Sequence, residues 1–131
     1  MERGLTINTN KRNFFREYIE ILQPFLKLRK RNADVFAALL YQCHKYENIK
    51  DLKSRYKVVF DYDTKVEISE DIKMSITSIR NSLTELRKLG LIKQKDGADY
   101  IPEQYLIDPG DAVTLKFNFI IKDVLELEEN S

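Results

Sequence analysis

Polar side chains with directional hydrogen-bonding groups recur on one side of a predicted helix over residues 75–89. The buried side of this helix is defined by apolar residues at helical spacing, which are Ile79, Leu83 and Leu86. On the other side, Arg80 offers two donors to a planar pair of acceptors, and Asn81 offers a donor beside an acceptor. Hydroxyl groups lie near them at Thr77, Ser78 and Thr84. These side chains are the first candidates for a binding surface.

The residue types that usually support catalysis do not come together in this sequence. Cys43 and His44 are neighbours on a predicted helix, where adjacent side chains point about 100° apart and do not meet. Glu70 and Asp71 have no second element that supplies a partner acid or a metal ligand. The chain has one Cys and one His, and it lacks a Walker A loop and a G-x-S-x-G elbow. The sequence therefore predicts no catalytic residue, no metal site and no cofactor.

Several helices are predicted to position the polar face. Asn10 caps a first helix that ends at Pro24, because the residue before a proline disfavours the α region. Asn32 caps a second helix that runs to about Tyr46. Residues 48–56 form either a short helix or an irregular connection.

Strand signals are confined to short stretches. Residues 57–62 combine β-branched and aromatic side chains, which predicts a strand. Residues 91–95 and 99–101 flank an Asp-Gly-Ala turn and predict a β-hairpin. Residues 112–121 alternate apolar and polar side chains and give the clearest strand signal in the chain. The predicted class is α+β, mainly α.

Residues 64–79 have the residue pattern of two helices joined by a tight turn. Asp63 caps the first of these helices, in which Ile68 and Ile72 lie one turn apart and face the core. Lys73 lies at the turn, where many such motifs use glycine to reach a left-handed conformation. Ser75 then caps the second helix.

This stretch resembles the winged helix-turn-helix family, in particular RepL-type plasmid replication proteins and MarR-like regulators. The residues that carry the resemblance are Ile68-Ser69, Met74-Ser75, Ser78-Ile79 and the run Leu-Arg-Lys-Leu-Gly-Leu-Ile over 86–92. It covers about residues 30–101. The resemblance implies a winged-helix domain there. Outside the shared motif we expect an N-terminal helical extension over 1–29, and a C-terminal β-strand with an acidic tail over 102–131 packed on the same domain.

What the resemblance implies in function is binding to double-stranded DNA, with the 75–89 helix in the major groove. The chain would act as a transcriptional regulator or as a plasmid- or phage-type replication initiator. In that role Arg80 suits a guanine edge and Asn81 suits adenine, while Thr77, Ser78 and Thr84 contact bases or phosphates. The other expected DNA contacts are Thr64, Lys65, Ser75, Lys93, Lys95, Arg29, Lys30 and Arg31.

Charge is distributed unevenly along the chain. The formal net charge is +1, but residues 1–60 carry +7, residues 61–95 carry +1 and residues 96–131 carry −7. This segregation is compatible with one basic and one acidic face, or with two ends that attract each other. Glu70, Asp71, Asp96 and Asp99 lie close to the expected DNA face, and they favour modest affinity, avidity through a dimer, or a protein partner.

A second interpretation belongs to another functional class. The chain would then be a non-enzymatic winged-helix interaction module in a larger assembly such as a phage particle. Its late strand, with Phe117 and Phe119 on one face, would pair with a partner or with itself. We also expect a homodimer through the N-terminal helix or the C-terminal strand, and a protein partner at the acidic C-terminal third. No apolar run approaches 18 residues, so we expect a cytoplasmic protein without membrane contact.

Overall fold

The computed structural model describes residues 4–122, which form five α-helices and one antiparallel hairpin. In chain order these are α1 (Lys11–Leu26), α2 (Lys30–Lys45), α3 (Leu52–Val59), α4 (Tyr62–Ile72), α5 (Ile76–Lys88), β1 (Lys93–Lys95) and β2 (Ala98–Tyr100). A single 3-10 turn follows at Glu103–Tyr105. The predicted α+β class with mainly helical content is confirmed.

Helix α1 begins where the sequence predicts and ends later. Asn10 caps its first turn, which confirms that prediction. The prediction that Pro24 ends the helix is wrong, because α1 continues for two further residues. The end is closed by Lys27 in a left-handed conformation, whose N–H donates to the Gln23 carbonyl at 2.8 Å. The Gln23 side chain also bonds both backbone polar groups of Leu28, at 2.9 and 3.0 Å. Hydrogen bonds after the proline therefore complete the turn.

Helix α2 begins before its predicted cap. Arg29 occupies the cap position without a side-chain hydrogen bond, so the prediction that Asn32 caps this helix is wrong. Asn32 is instead buried, and its side-chain amide donates to the Glu85 carboxylate on α5. α2 supplies the centre of the hydrophobic core, with Val35, Phe36, Leu39, Leu40 and Cys43 all buried.

Residues 57–62, predicted to be a strand, contain the end of α3, a two-residue turn and the first residue of α4. α3 extends through Val59 and α4 begins only three residues later, so no strand forms there. Tyr56 and Val59 lie one helical turn apart and are both buried. Burial at a spacing of three rather than two therefore overrides the β-branched and aromatic composition.

Three residues, 73–75, join α4 to α5. Asp61 caps α4 by accepting a backbone N–H of the first turn at 2.8 Å, so the prediction that Asp63 is the cap is wrong. Lys73 closes α4 in the left-handed conformation expected at this turn, with a φ of 54°. Ser75 caps α5 by accepting a backbone N–H at 3.1 Å, which confirms that prediction.

The predicted hairpin is confirmed, although its first strand is shorter than expected and its second strand begins one residue earlier. β1 and β2 are antiparallel, and Gln94 lies opposite Asp99. Both turn residues have a positive φ, 54° at Asp96 and 77° at Gly97, as the two-residue type I′ turn of a β-hairpin requires. Leu91, Ile92 and Ile101 flank the strands and are buried in the core.

One hydrophobic core includes residues from α1 through to the residue after β2. α1 contributes Phe15, Tyr18 and Ile19, and the hairpin base contributes Ile92 and Ile101. The proposed boundaries between residues 29 and 30 and between 101 and 102 stay predictions. Within residues 4–122, no helix combines the length and the hydrophobicity needed to cross a bilayer.

The segment 112–122 does not form the predicted C-terminal strand. The β1–β2 pair is the only sheet in residues 4–122, so the prediction of a strand over residues 112–121 is wrong. Leu115 packs against the core, and Phe117 stacks on Phe25 with the ring centroids 5.9 Å apart. Phe119, Ile120 and Ile121 are exposed. Alternating composition does not make a strand unless a neighbouring strand accepts its backbone hydrogen bonds. The acidic tail at 126–129 lies outside the described residues.

Candidate nucleic-acid interface

The α5 outer face is the set of exposed residues opposite the core on this helix. It contains Thr77, Arg80, Asn81, Thr84 and Lys88, which recur within one side of the helix over three turns. Ile79, Leu83 and Leu86 hold the opposite side of α5 in the core. The structure therefore brings four of the predicted contacts together, and it adds Lys88, which the sequence analysis had not included.

The arginine on this face is available for a ligand. No acidic side chain in residues 4–122 forms an ion pair with Arg80. The Thr84 hydroxyl donates to the Arg80 backbone carbonyl at 3.1 Å, so it is partly engaged within the helix. Among the polar groups of the α5 outer face, the guanidinium and the Asn81 amide are consequently the best candidates for recognition.

Three other predicted contacts are engaged in local structure. The Ser75 hydroxyl caps α5 and donates to the Ser78 hydroxyl at 3.0 Å, so both hydroxyls serve the helix start. Thr64 is buried, and its hydroxyl donates to the Val58 carbonyl at 2.7 Å. Burial removes Thr64 from the candidate surface, while Lys65 beside it stays half-exposed.

Glu85 connects α5 to the basic cluster at the start of α2. Arg31 donates to Glu85 Oε1 at 3.1 Å, and Arg29 approaches the same oxygen at 3.6 Å. The hydrogen bond from Asn32, followed by the nearby guanidinium charges, holds the pKa of Glu85 below its usual range. The predicted cluster therefore partly neutralises an acid of α5. Arg29 keeps 74% of its side chain exposed and Lys30 is also exposed, so both remain candidates for phosphate contact.

Arg87 fixes the hairpin to the side of α5 that lies away from Glu85. Its guanidinium makes two hydrogen bonds to the Asp99 carboxylate, at 3.0 and 2.7 Å, and Gln94 donates to the same group at 3.1 Å. Burial tends to raise the pKa of Asp99, but these hydrogen bonds and the charges of Arg87 and Lys65 lower it below its usual range. The negative charge of Asp99 is therefore paired within the fold.

The two hairpin lysines share a face, as the sequence predicts. Lys93 and Lys95 are both exposed and alternate with Gln94. Gln94 and Asp99 form the face that contacts Arg87, so the two lysines belong to the other face of the hairpin. Contact with a ligand on the α5 outer face would depend on the length of their side chains.

The acids near the interface differ in how they are compensated. Asp71 pairs with Arg12 of α1 at 3.4 Å. Glu70 and Asp96 are exposed and lack a lysine or arginine partner among residues 4–122. The electrostatic potential around α5 is thus less negative than the sequence suggests, although it is not strongly positive.

A second group of chemically active side chains lies away from α5. Cys43 is buried as predicted, and burial raises the pKa of its thiol to about 12. His44 Nδ1 lies 3.3 Å from Glu47 Oε2, and the carboxylate of Asp108 lies beside them. These three residues line a cavity of about 710 Å³. This group is not evident from the sequence, because Asp108 is far from the other two residues in the chain.

Comparisons with known proteins identify no relative. No protein-family model matches the chain, and neither the curated proteins nor the solved structures give a significant match. The likeness to winged helix-turn-helix proteins therefore stays a prediction.

Proposed function

We propose that this chain binds double-stranded DNA as a winged helix-turn-helix protein, with the α5 outer face in the major groove. The observation that carries the proposal is the joint exposure of polar and basic side chains on this face. Its five polar or basic residues are exposed together on a capped helix whose other side lies in the core. A rigid helix that projects polar side chains matches the width and the hydrogen-bonding pattern of the major groove.

Specificity in this proposal comes from two neighbouring side chains. Arg80 can donate two hydrogen bonds to the O6 and N7 atoms of guanine, and Asn81 can pair with adenine N6 and N7. Lys88, at the end of the same face, supplies a phosphate contact. Arg29 and Lys30, at the start of α2, are placed to add further phosphate contacts, because Glu85 links that region to α5.

The proposed biological role is that of a transcriptional regulator or a plasmid- or phage-type replication initiator, without a catalytic step. Few unpaired cations surround the α5 outer face, so the affinity of one chain is expected to be modest. A homodimer that presents two such faces would raise the affinity through avidity.

The test is duplex binding by the tag-free chain at two salt concentrations, after selection of preferred sequences from a random duplex library. Arg80→Ala should weaken binding to the selected duplex by about 5- to 150-fold, the equivalent of about 1–3 kcal/mol, and relax the base preference at one position. Lys93→Ala should weaken binding to all duplexes equally and reduce the salt dependence.

Arg16→Ala is the matched control, because Arg16 is an exposed arginine on α1 rather than on α5. This variant should bind the selected duplex like the native chain. If Arg80→Ala and Arg16→Ala lose affinity equally, the α5 outer face is not the binding surface. A folded chain that binds no duplex at low salt would contradict DNA binding altogether.

That last outcome would favour the second candidate, a protein-interaction module in a larger assembly. The observation behind it is the exposed apolar group formed by Phe119, Ile120 and Ile121 at the end of the described chain. Exposed apolar side chains that are contiguous in sequence are typical of interaction segments.

A further inference from the structure

We propose that His44, Glu47 and Asp108 form a binding site for a divalent transition metal ion of the Zn²⁺ class. The inference is independent of the proposed DNA binding, because the three residues lie at the end of α2 and in the segment after β2. One donor atom from each residue lies within 4.8 Å of the others.

The distances suit a small tetrahedral ion. Bonds of about 2.0–2.2 Å from zinc to nitrogen or oxygen place neighbouring donor atoms about 3.3–3.6 Å apart. His44 Nδ1 and Glu47 Oε2 are already 3.3 Å apart. Asp108 is exposed, so rotation of its side chain can bring its carboxylate from within 4.8 Å to the same separation.

The histidine is held in position by the core. Only 13% of the His44 side chain is exposed, and its ring packs 5.8 Å from the buried ring of Phe15. The turn that carries Glu47 is also fixed, because Arg55 donates to the backbone carbonyls of Glu47 and Ile49 at 3.2 and 2.9 Å. A site of this kind loses little conformational entropy when an ion binds.

The carboxylates have no competing cation among residues 4–122. Neither Glu47 nor Asp108 lies within ion-pair distance of a lysine or arginine side chain. Arg55 and Lys50 line the same cavity, but the Arg55 guanidinium is directed to backbone carbonyls. A bound cation would therefore compensate two negative charges that the described chain leaves without a basic partner other than His44.

The ligand set selects the class of metal. Calcium and magnesium prefer oxygen ligands throughout, whereas an imidazole with two carboxylates suits Zn²⁺ and its neighbours in the transition series. Three protein ligands leave a further coordination position for water, as in open zinc sites. Since all three residues line the cavity of about 710 Å³, that position would be accessible to water and small ligands.

The decisive measurement uses the single histidine of the chain. Zn²⁺ is added to the tag-free, chelator-treated chain while the imidazole C–H resonances are followed by proton NMR and the affinity by calorimetry. We expect one ion per chain and a shift of the His44 resonances, with Mg²⁺ and Ca²⁺ producing neither. Asp108→Asn should weaken Zn²⁺ binding by about 100-fold or more, because even loss of an outer-shell partner typically costs about 10–100-fold.

Glu103→Gln is the matched control, since Glu103 is an exposed carboxylate that lines the same cavity outside the proposed ligand set. It should bind Zn²⁺ like the native chain. Unchanged His44 resonances at a severalfold excess of Zn²⁺ would overturn the proposal, as would equal affinities for Asp108→Asn and the native chain. Both substituted carboxylates are exposed, so circular dichroism of the metal-free variants should show an unchanged fold.

Discussion

Helix α5 is held from three directions, whereas the segment 112–122 is held by the side chains of Leu115 and Phe117. The core side of α5 is buried, Glu85 ties it to the start of α2, and Arg87 ties it to β2. In the later segment, by contrast, Leu115 packs on the core and Phe117 stacks on Phe25. The difference is in the backbone as well: a helix satisfies its own hydrogen bonds, while an extended segment needs a partner.

The comparison also separates two kinds of exposed surface. α5 exposes polar side chains on a fixed frame, which suits recognition of a ligand by directional hydrogen bonds. The segment 112–122 exposes apolar side chains such as Phe119 on a backbone without regular structure. Under the proposed function recognition belongs to α5, and we expect the later segment to contribute little to the stability of the isolated chain.

The largest expected effect comes from a matched pair of isoleucine substitutions in these two regions. Ile79 on α5 is 1% exposed and Ile120 is 78% exposed. Ile79→Ala should lower the free energy of unfolding by about 2–5 kcal/mol, because it removes buried methyl groups and leaves a cavity. Ile120→Ala should change it by less than about 0.5 kcal/mol. Urea denaturation of both variants checks this, and similar losses would show that residues 112–122 are packed as firmly as α5.

The next effect concerns the attachment of α5 to the hairpin. Asp99→Asn should lower the free energy of unfolding at pH 7 by about 1–2 kcal/mol, because it removes a paired charge from the half-buried Arg87. The pKa of Asp99 is lowered in the folded state, so its contribution is present above the unfolded-state value of about 3.9 and is lost as the pH falls through the lower folded value.

The difference in the free energy of unfolding between the native chain and Asp99→Asn should therefore decrease as the pH drops below about 4. Urea denaturation at pH 7 and at successive acidic values measures it. A gap that is independent of pH would mean that the substitution acts through packing rather than through the ion pair.

Local signals in the sequence predict much of α5 and the hairpin. The caps at Asn10 and Ser75 and the Asp96-Gly97 turn depend on a few adjacent residues, and all three are confirmed. The polar residues of the α5 outer face follow from helical spacing once the buried side is known. These features require no knowledge of distant parts of the chain.

Some of the predictions that are wrong depend on distant partners. Asparagine is a residue type that often caps helices, but the Asn32 side chain donates its hydrogen bond to Glu85 on α5. Only the fold brings these two residues together. The pairing of Asp99 with Arg87 likewise becomes visible only in the fold. The same limit applies to His44 and Asp108, whose proximity depends on how the chain returns to the end of α2 after β2.

The smallest expected effect is at the turn that positions α5, where the backbone is strained rather than supported. Lys73 has a φ of 54°, a conformation that costs a non-glycine residue about 1–2 kcal/mol and costs glycine almost nothing. Lys73→Gly should therefore raise the free energy of unfolding by about 0.5–1 kcal/mol, after allowance for the greater flexibility of glycine in the unfolded chain.

Lys57→Gly is the matched control, because Lys57 is an exposed lysine inside α3, where glycine should lower the free energy of unfolding by about 0.5–1 kcal/mol. Opposite signs in thermal or urea denaturation would locate the strain at the turn between α4 and α5. Equal losses in the two variants would show that Lys73 makes a stabilising contribution that outweighs its backbone strain. In that case Lys73 would be a fourth attachment that holds α5. The difference in stability between α5 and residues 112–122 would then be larger than the three other attachments alone predict.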